Sequence, residues 1–191
     1  MKELVEYIRT MGKGIGSDIV KVDMFLNHRI DSGLMMRIGE AFYESFKDDR
    51  PDLILTVEAS GIAAALATAV AFGNLPLVYA KKAGTRNVTD EVYQSKVFSF
   101  THGQENFIRV VKSYLPKGSR VLIIDDFLAN GEASLGMCDL VRQAECTVVG
   151  IGICVEKAFQ PGHAKLEKDG YKVISLAKVS SIENGSLNVE D

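Results

Sequence analysis

Positive charge is not in excess in this chain. Lys and Arg number 22 against 25 Asp and Glu, a net charge of −3. Binding to a phosphate backbone rests on clustered Lys and Arg, so nucleic acid is not expected as a main ligand. Cysteine is scarce and odd in number, with only Cys138, Cys146 and Cys154. Three thiols without metal-like spacing argue for a reduced, cytoplasmic protein rather than a disulfide framework. Cys138 falls in a helix-like stretch and Cys154 in a strand-like one, so both read as small buried hydrophobes. Long hydrophobic runs are missing too. The longest, residues 61–72, is about a dozen residues, short of the ~20 that cross a bilayer, so no membrane partner is expected. Met1-Lys2-Glu3 leads into mixed polar sequence rather than the apolar core of a secretory signal. Internal repeats and low-complexity segments are absent. What remains is 191 residues, 47% hydrophobic and 25% charged, which is ordinary for one soluble globular domain over residues 1–191.

The most informative stretch is residues 121–135. Val121-Leu122-Ile123-Ile124 is short, apolar and rich in β-branched residues, as in a strand buried on both faces of a parallel sheet. Asp125 and Asp126 follow at once. Then come Ala129-Asn130-Gly131 and a helix-like run starting at Glu132. A strand, a small-residue loop and a helix present free backbone N–H groups, and the positive end of a helix dipole, to an anion. Two carboxylates would not help a bare phosphate. They do suit a phosphorylated sugar, whose hydroxyls need acceptors.

Along the rest of the chain, residues 2–10 read as a short helix and residues 11–17, with three glycines, as a turn. No strand precedes those glycines, so a dinucleotide loop is excluded. Residues 19–28 read as an edge or lid. Asp31 and Ser32 cap a helix in which Leu34, Ile38, Phe42 and Phe46 recur every fourth residue, and Pro51 marks its end. Strands are expected at 53–57, 77–80, 121–124, 147–154 and 173–176, with helices at 62–72, from Glu132 to about Ala144, and at 163–169. Alternation of this kind implies an α/β fold with a mainly parallel sheet. Residues 81–87 are basic and turn-forming, a partly alternating segment with Val92, Lys96, Phe98 and Phe100 and another at 108–111 read as two strands flanking polar connections, and the stretch around 83–102 reads as a mobile arm. Residues 179–191 read as a trailing appendage.

In open α/β sheets, ligands bind at the carboxyl ends of the strands. Four such ends carry chemistry here. Glu58-Ala59-Ser60-Gly61 has small residues that let amides approach an anion. Lys81-Lys82 brings two cations. Asp125 to Ala133 is the loop above, and Glu156-Lys157 follows a glycine-rich strand.

Residues 121–133 resemble the phosphoribosyl-pyrophosphate (PRPP) motif of type I phosphoribosyltransferases: four apolar residues, two acids, then a small-residue loop. Many members carry a Thr-Gly-Gly type sequence where this chain has Ala129-Asn130-Gly131, so a loop hydroxyl is lost. The Asp-Asp-Phe-Leu-Ala-Asn-Gly form is similar to the bacterial branch of the family that acts on xanthine. The likeness also covers Val-Asp-Met-Phe-Leu-Asn-His at 22–28, Glu-Ala-Ser-Gly-Ile at 58–62 and Val-Glu-Lys-Ala-Phe-Gln-Pro-Gly at 155–162. It implies a mainly parallel twisted sheet flanked by helices, a hood from about 1–33 and 178–191, and a mobile β-arm. It implies PRPP and xanthine as substrates, magnesium as cofactor and a homodimer.

The same resemblance assigns residues. Asp125 and Asp126 form the catalytic pair that holds the ribose hydroxyls. Ala129, Asn130, Gly131, Glu132 and Ala133 hold the 5′-phosphate. Ala59, Ser60 and Gly61 hold pyrophosphate, often beside a strained peptide bond, and Lys81 or Lys82 reaches it too, sometimes across a dimer interface. Val20, Asn27 and Lys157 line the base pocket. No residue is assigned as a direct metal ligand. Lys157 also makes sense on its own chemistry, because an ammonium only donates and so serves a 6-oxo group but not the 6-amino group of adenine. Asn27 can donate and accept, and Val20 offers shape or a backbone carbonyl. His28 and His102 read as incidental. The rival bases are guanine and hypoxanthine. The rival function is a PRPP-sensing regulator like the purine operon repressor. That reading needs a DNA-binding unit, and the roughly fifty residues before the first core strand show no basic recognition helix.

Overall fold

In a computed structural model, residues 1–82, 91–99 and 104–190 are described. The centre of the molecule follows from its apolar runs. β3 (Leu53–Val57) is buried at every position, and β7 (Arg120–Leu128) is buried from Val121 to Asp126. β4 (Leu77–Lys82) runs parallel to β3 on one side, and β7 runs parallel on the other. β8 (Thr147–Lys157) and β9 (Val173–Glu183) extend the parallel set. Three antiparallel strands complete the sheet: β10 (Ser186–Val189) at one edge, and β5 (Val92–Ser99) and β6 (Gln104–Val111) at the other. The order is β10-β9-β8-β7-β3-β4-β6-β5.

Helices cover both faces, as right-handed crossovers between parallel strands require. On one face lies α2 (Ser32–Phe46). Asp31 caps it by accepting from the Leu34 N–H at 2.9 Å, and Leu34, Ile38, Phe42 and Phe46 all turn inward. They meet Ile54, Leu122 and Ile124 beside α3 (Ile62–Ala71) and α1 (Lys2–Met11). Gly150 and Gly152 make room for this packing, since a Cβ at either would lie 2.4 or 2.8 Å from the Phe46 or Phe42 ring. The other face holds α4 (Glu132–Gln143) and α5 (Gly162–Lys168), whose Met137, Leu140, Val141 and Leu166 cover Leu55, Ile123, Ile151 and Ile153.

Three expectations are corrected. Residues 11–17 are not simply a turn: β1 (Lys13–Ile15) pairs antiparallel with β2 (Ile19–Lys21), and Gly16 supplies the positive φ of 61° between them. Residues 179–191 do not trail away: β9 continues to Glu183 and folds back as β10, with Leu187 buried against the core around Leu4 and Ile8. The central strand does not stop at Ile124 but runs through both aspartates to Leu128. The arm expected near 83–102 is described only by β5 and β6. Residues 83–90 and 100–103, on which its closing motion was expected, lie outside the described residues, and so does His102.

Candidate active site

Asp125 and Asp126 sit near the carboxyl end of β7 and are only 4% and 6% exposed. Their surroundings differ. The Asp126 carboxylate accepts from Ser60 Oγ at 2.9 Å on Oδ1 and from Asn27 Nδ2 at 2.9 Å on Oδ2. Two loops far apart in sequence, after β3 and after β2, thus converge on one carboxylate. Asp125 Oδ1 accepts from the Asp126 N–H at 3.0 Å. The Asp125 carboxyl is pushed well above the usual carboxylate range, first by burial and then by the charge of Asp126, while the Lys82 ammonium acts in the opposite sense. Burial beside Asp126 thus favours the neutral form of Asp125 more than it would in a free carboxylate.

The loop after β3 is tied down on both sides. The Glu58 N–H donates to Ala80 O at 3.1 Å, and Glu58 Oε1 accepts from the Lys82 N–H at 2.7 Å. The Glu58–Ala59 peptide is cis. Ala59 and Ser60 are exposed, whereas Gly61 is buried. A Cβ on Gly61 would sit 2.3 Å from Thr56 Oγ1 and 2.8 Å from Asp125 Oδ1, so a side chain there would displace the aspartate. Thr56 Oγ1 is buried and finds no hydrogen-bond partner among the described residues. Lys81 and Lys82 both end β4 in exposed positions, and of the two it is Lys82 whose charge is felt at Asp125.

The loop of Ala129, Asn130 and Gly131 leads into α4. Gly131 takes a φ of 87°, which its missing Cβ permits, and its carbonyl accepts from the Leu135 N–H at 2.9 Å. Glu132 and Ala133 form the first turn of the helix, whose amino end carries positive partial charge. Lys157 closes β8. Its Nζ donates to Asp18 O at 2.7 Å and lies 6.0 Å from the centre of the Phe127 ring. Burial lowers the pKa of this lysine. Val20 turns its side chain into the core and is 7% exposed, while the Asp18 carbonyl two residues earlier meets Lys157.

Asp125, Asp126, Ser60, Gly61, Asn27 and Lys82 are thus brought together, and Lys157 stands by Phe127 one strand away. Sequence reasoning missed Phe127, Thr56 and the α5 contacts. Phe127 was legible in principle, being the aromatic next to two acids. His28 is exposed.

The sequence model of the phosphoribosyl transferase domain matches residues 28–186. The chain belongs to the phosphoribosyltransferase family and has its type I fold. It is 48% identical over 187 residues to the xanthine phosphoribosyltransferase of Clostridioides difficile (strain 630), covering 98% of each chain. It is also 48% identical over 191 residues to the xanthine phosphoribosyltransferase of Geobacillus thermodenitrificans (strain NG80-2), covering 100% of this chain and 98% of the relative. Among solved structures, adenine phosphoribosyltransferase from Thermoanaerobacter pseudethanolicus superimposes with a TM-score of 0.68 at 28% identity, over 78% of this chain and 82% of the other. The enzyme of that name from Trypanosoma brucei, in complex with AMP, pyrophosphate and ribose-5-phosphate, shares the fold with a TM-score of 0.77 at 19% identity, over 95% and 81%.

Proposed function

We propose that this enzyme transfers the 5-phosphoribosyl group from PRPP to N9 of xanthine, giving xanthosine 5′-monophosphate and pyrophosphate. The observation that carries the reading is the convergence of Ser60 and Asn27 on Asp126, beside a buried Asp125, one loop before the Gly131 entrance to α4. Ser60 and Asn27 donate to the carboxylate as the ribose hydroxyls of PRPP would, so Asp126 is already arranged as an acceptor. The amides of Ala129 to Ala133 take the 5′-phosphate. Ala59, Ser60 and Gly61, with Lys82, take the pyrophosphate. Lys157 reads the 6-oxo group of the base, and Phe127 offers the ring a stacking face.

N9 attacks C1′ as the bond to pyrophosphate breaks. Positive charge grows on the ribose and negative charge on the leaving group. The Asp125–Asp126 pair would stabilise the first, and Lys82 the second. Magnesium keeps its waters and binds through one or two carboxylates plus substrate phosphates, and the adjacent Asp125 and Asp126 carboxyls near the end of β7 would supply that protein side. When bound, magnesium neutralises charge on the pyrophosphate.

The segments at the two chain ends form a hood over the base. Arg9 donates to Val189 O at 2.8 Å, and the Gly14 N–H donates to Gly185 O at 2.9 Å, which holds them together. A homodimer is supported by Met36 and Tyr43 on α2 and Leu66 and Val70 on α3, large apolar side chains left exposed on neighbouring helices. No helix among the described residues is long and apolar enough to cross a membrane. Incubation of the protein with PRPP, magnesium and xanthine should yield xanthosine 5′-monophosphate by chromatography, and excess chelator should stop the yield. Absence of that product with magnesium present would refute the proposal.

A further inference from the structure

The loop of Ala129, Asn130, Gly131, Glu132 and Ala133 contains no cation and no hydroxyl, and it carries a carboxylate in Glu132. An anion arriving there meets backbone amides and the Asn130 carboxamide but no charged or hydroxyl donor of the loop, so the direction of the backbone amides bears strongly on how well it binds. The loop does not set that direction alone, because it leans on α5. The Gly162 N–H donates to Ala129 O at 3.0 Å, and Lys165 Nζ donates to Asn130 O at 2.9 Å. In a trans peptide the carbonyl and the following N–H point opposite ways. Two consecutive carbonyls anchored on α5 therefore turn the N–H groups of Asn130 and Gly131 away from it. Contact is close enough that only glycine fits at 162, where a Cβ would lie 2.3 Å from Ala129 O and 2.8 Å from Gly131 N.

Lys165 has a second contact. Its Nζ lies 3.1 Å from Glu132 Oε1, so it offsets the one negative charge in the loop. The helix that carries it is fixed in turn. His163 Nδ1 is 2.8 Å from Glu156 Oε2, and Ser175 Oγ donates to the same oxygen at 2.5 Å. Glu156 is 4% exposed and belongs to β8, next to Lys157.

We infer that Lys165 is a positioning residue for the phosphate loop: it anchors the Asn130 carbonyl and neutralises Glu132, so that the loop's bare amides can bind the 5′-phosphate of PRPP. The inference rests on the reading of this loop as the phosphate subsite. Its test uses the full chain with PRPP and magnesium, in the native form, Lys165→Met, Lys165→Arg, and Lys165→Met combined with Glu132→Gln. Lys165→Met should raise the KM for PRPP about fivefold, a charged hydrogen bond discounted for the partial exposure of both partners. The KM for xanthine and kcat should hold within about twofold. Lys165→Arg should restore most of the loss, and the added Glu132→Gln part of it. Calorimetric binding of PRPP reads the same loop without turnover. Native protein that binds PRPP but makes no product would overturn the enzyme reading alone, and the variants would still be compared by binding. An unchanged PRPP affinity in Lys165→Met would overturn the inference. So would a parallel rise in both KM values with no rescue by arginine.

Discussion

Replacing Asp125 and Asp126 together with asparagine should lower kcat/KM for PRPP and xanthine by at least about a hundredfold, the scale of losing preorganised groups aimed at a developing charge. An amide has the shape of a carboxylate but not its chemistry. It brings an N–H2 that repels donor hydroxyls and lacks the negative charge that favours a cationic ribose. Turnover within a few fold of native would sink the assignment of this pair. The single change Asp125→Asn separates chemistry from stability. Its carboxyl has its pKa raised, first by burial and then by the Asp126 charge. Below the ordinary carboxylate pKa it is neutral in both the folded and the unfolded chain. As pH rises, the unfolded chain ionises first, so the native protein loses stability until the raised folded pKa is passed. Asparagine does not titrate. Asp125→Asn should therefore gain stability relative to native with rising pH, while losing activity. Thermal unfolding at pH 4 and pH 8 without ligands checks it, and a smaller gain at pH 8 than at pH 4 would contradict it.

Lys157→Met should raise the KM for xanthine by about ten- to a hundredfold, the cost of a lost charged hydrogen bond. PRPP affinity should stay near native. Met keeps the length and apolar stem, so packing on Phe127 survives while the ammonium is gone. That ammonium already donates to Asp18 O at 2.7 Å and so is held in place before any base arrives. Initial rates with xanthine and PRPP varied in turn separate the two affinities. Equal loss for both substrates would point to a collapsed strand end rather than a base contact.

The parts of the fold that were readable share one physical cause. β3, β7 and β8 are buried on both faces, and burial of that kind leaves an unbroken apolar run in the sequence. α2 was readable because its cap and its four-residue stripe agree. The β1–β2 hairpin was not, because Lys13-Gly14-Ile15 is short, glycine-rich and half exposed. Its pairing is stabilised by contacts far off in sequence, such as the Gly14 N–H on Gly185 O. The end of β9 and all of β10 were missed for a like reason: Ser180, Ser181 and Glu183 lie on the part of β9 that runs past β8, beside the edge strand β10, and their polar side chains leave no apolar run to read. In the site, Asp125, Asp126, Ser60, Gly61 and Lys157 announced themselves as chemistry placed after strands. Gly162 and Lys165 did not, because their contacts depend on where α5 lands across the loop, and residue type alone does not carry that position. Val20 was named through resemblance for shape or a backbone carbonyl; its side chain lies in the core, and Lys157 Nζ donates to Asp18 O two residues before it.

The most direct measurement is pyrophosphate release from PRPP and magnesium, with xanthine, guanine, hypoxanthine and adenine run in parallel. Release with xanthine foremost and adenine last is expected, since an ammonium at Lys157 can donate to a 6-oxo group and not to a 6-amino group. Release with adenine foremost would contradict the Lys157 pocket. No release with any base, while PRPP still binds saturably, would contradict the proposed transferase activity and turn the site into a PRPP sensor.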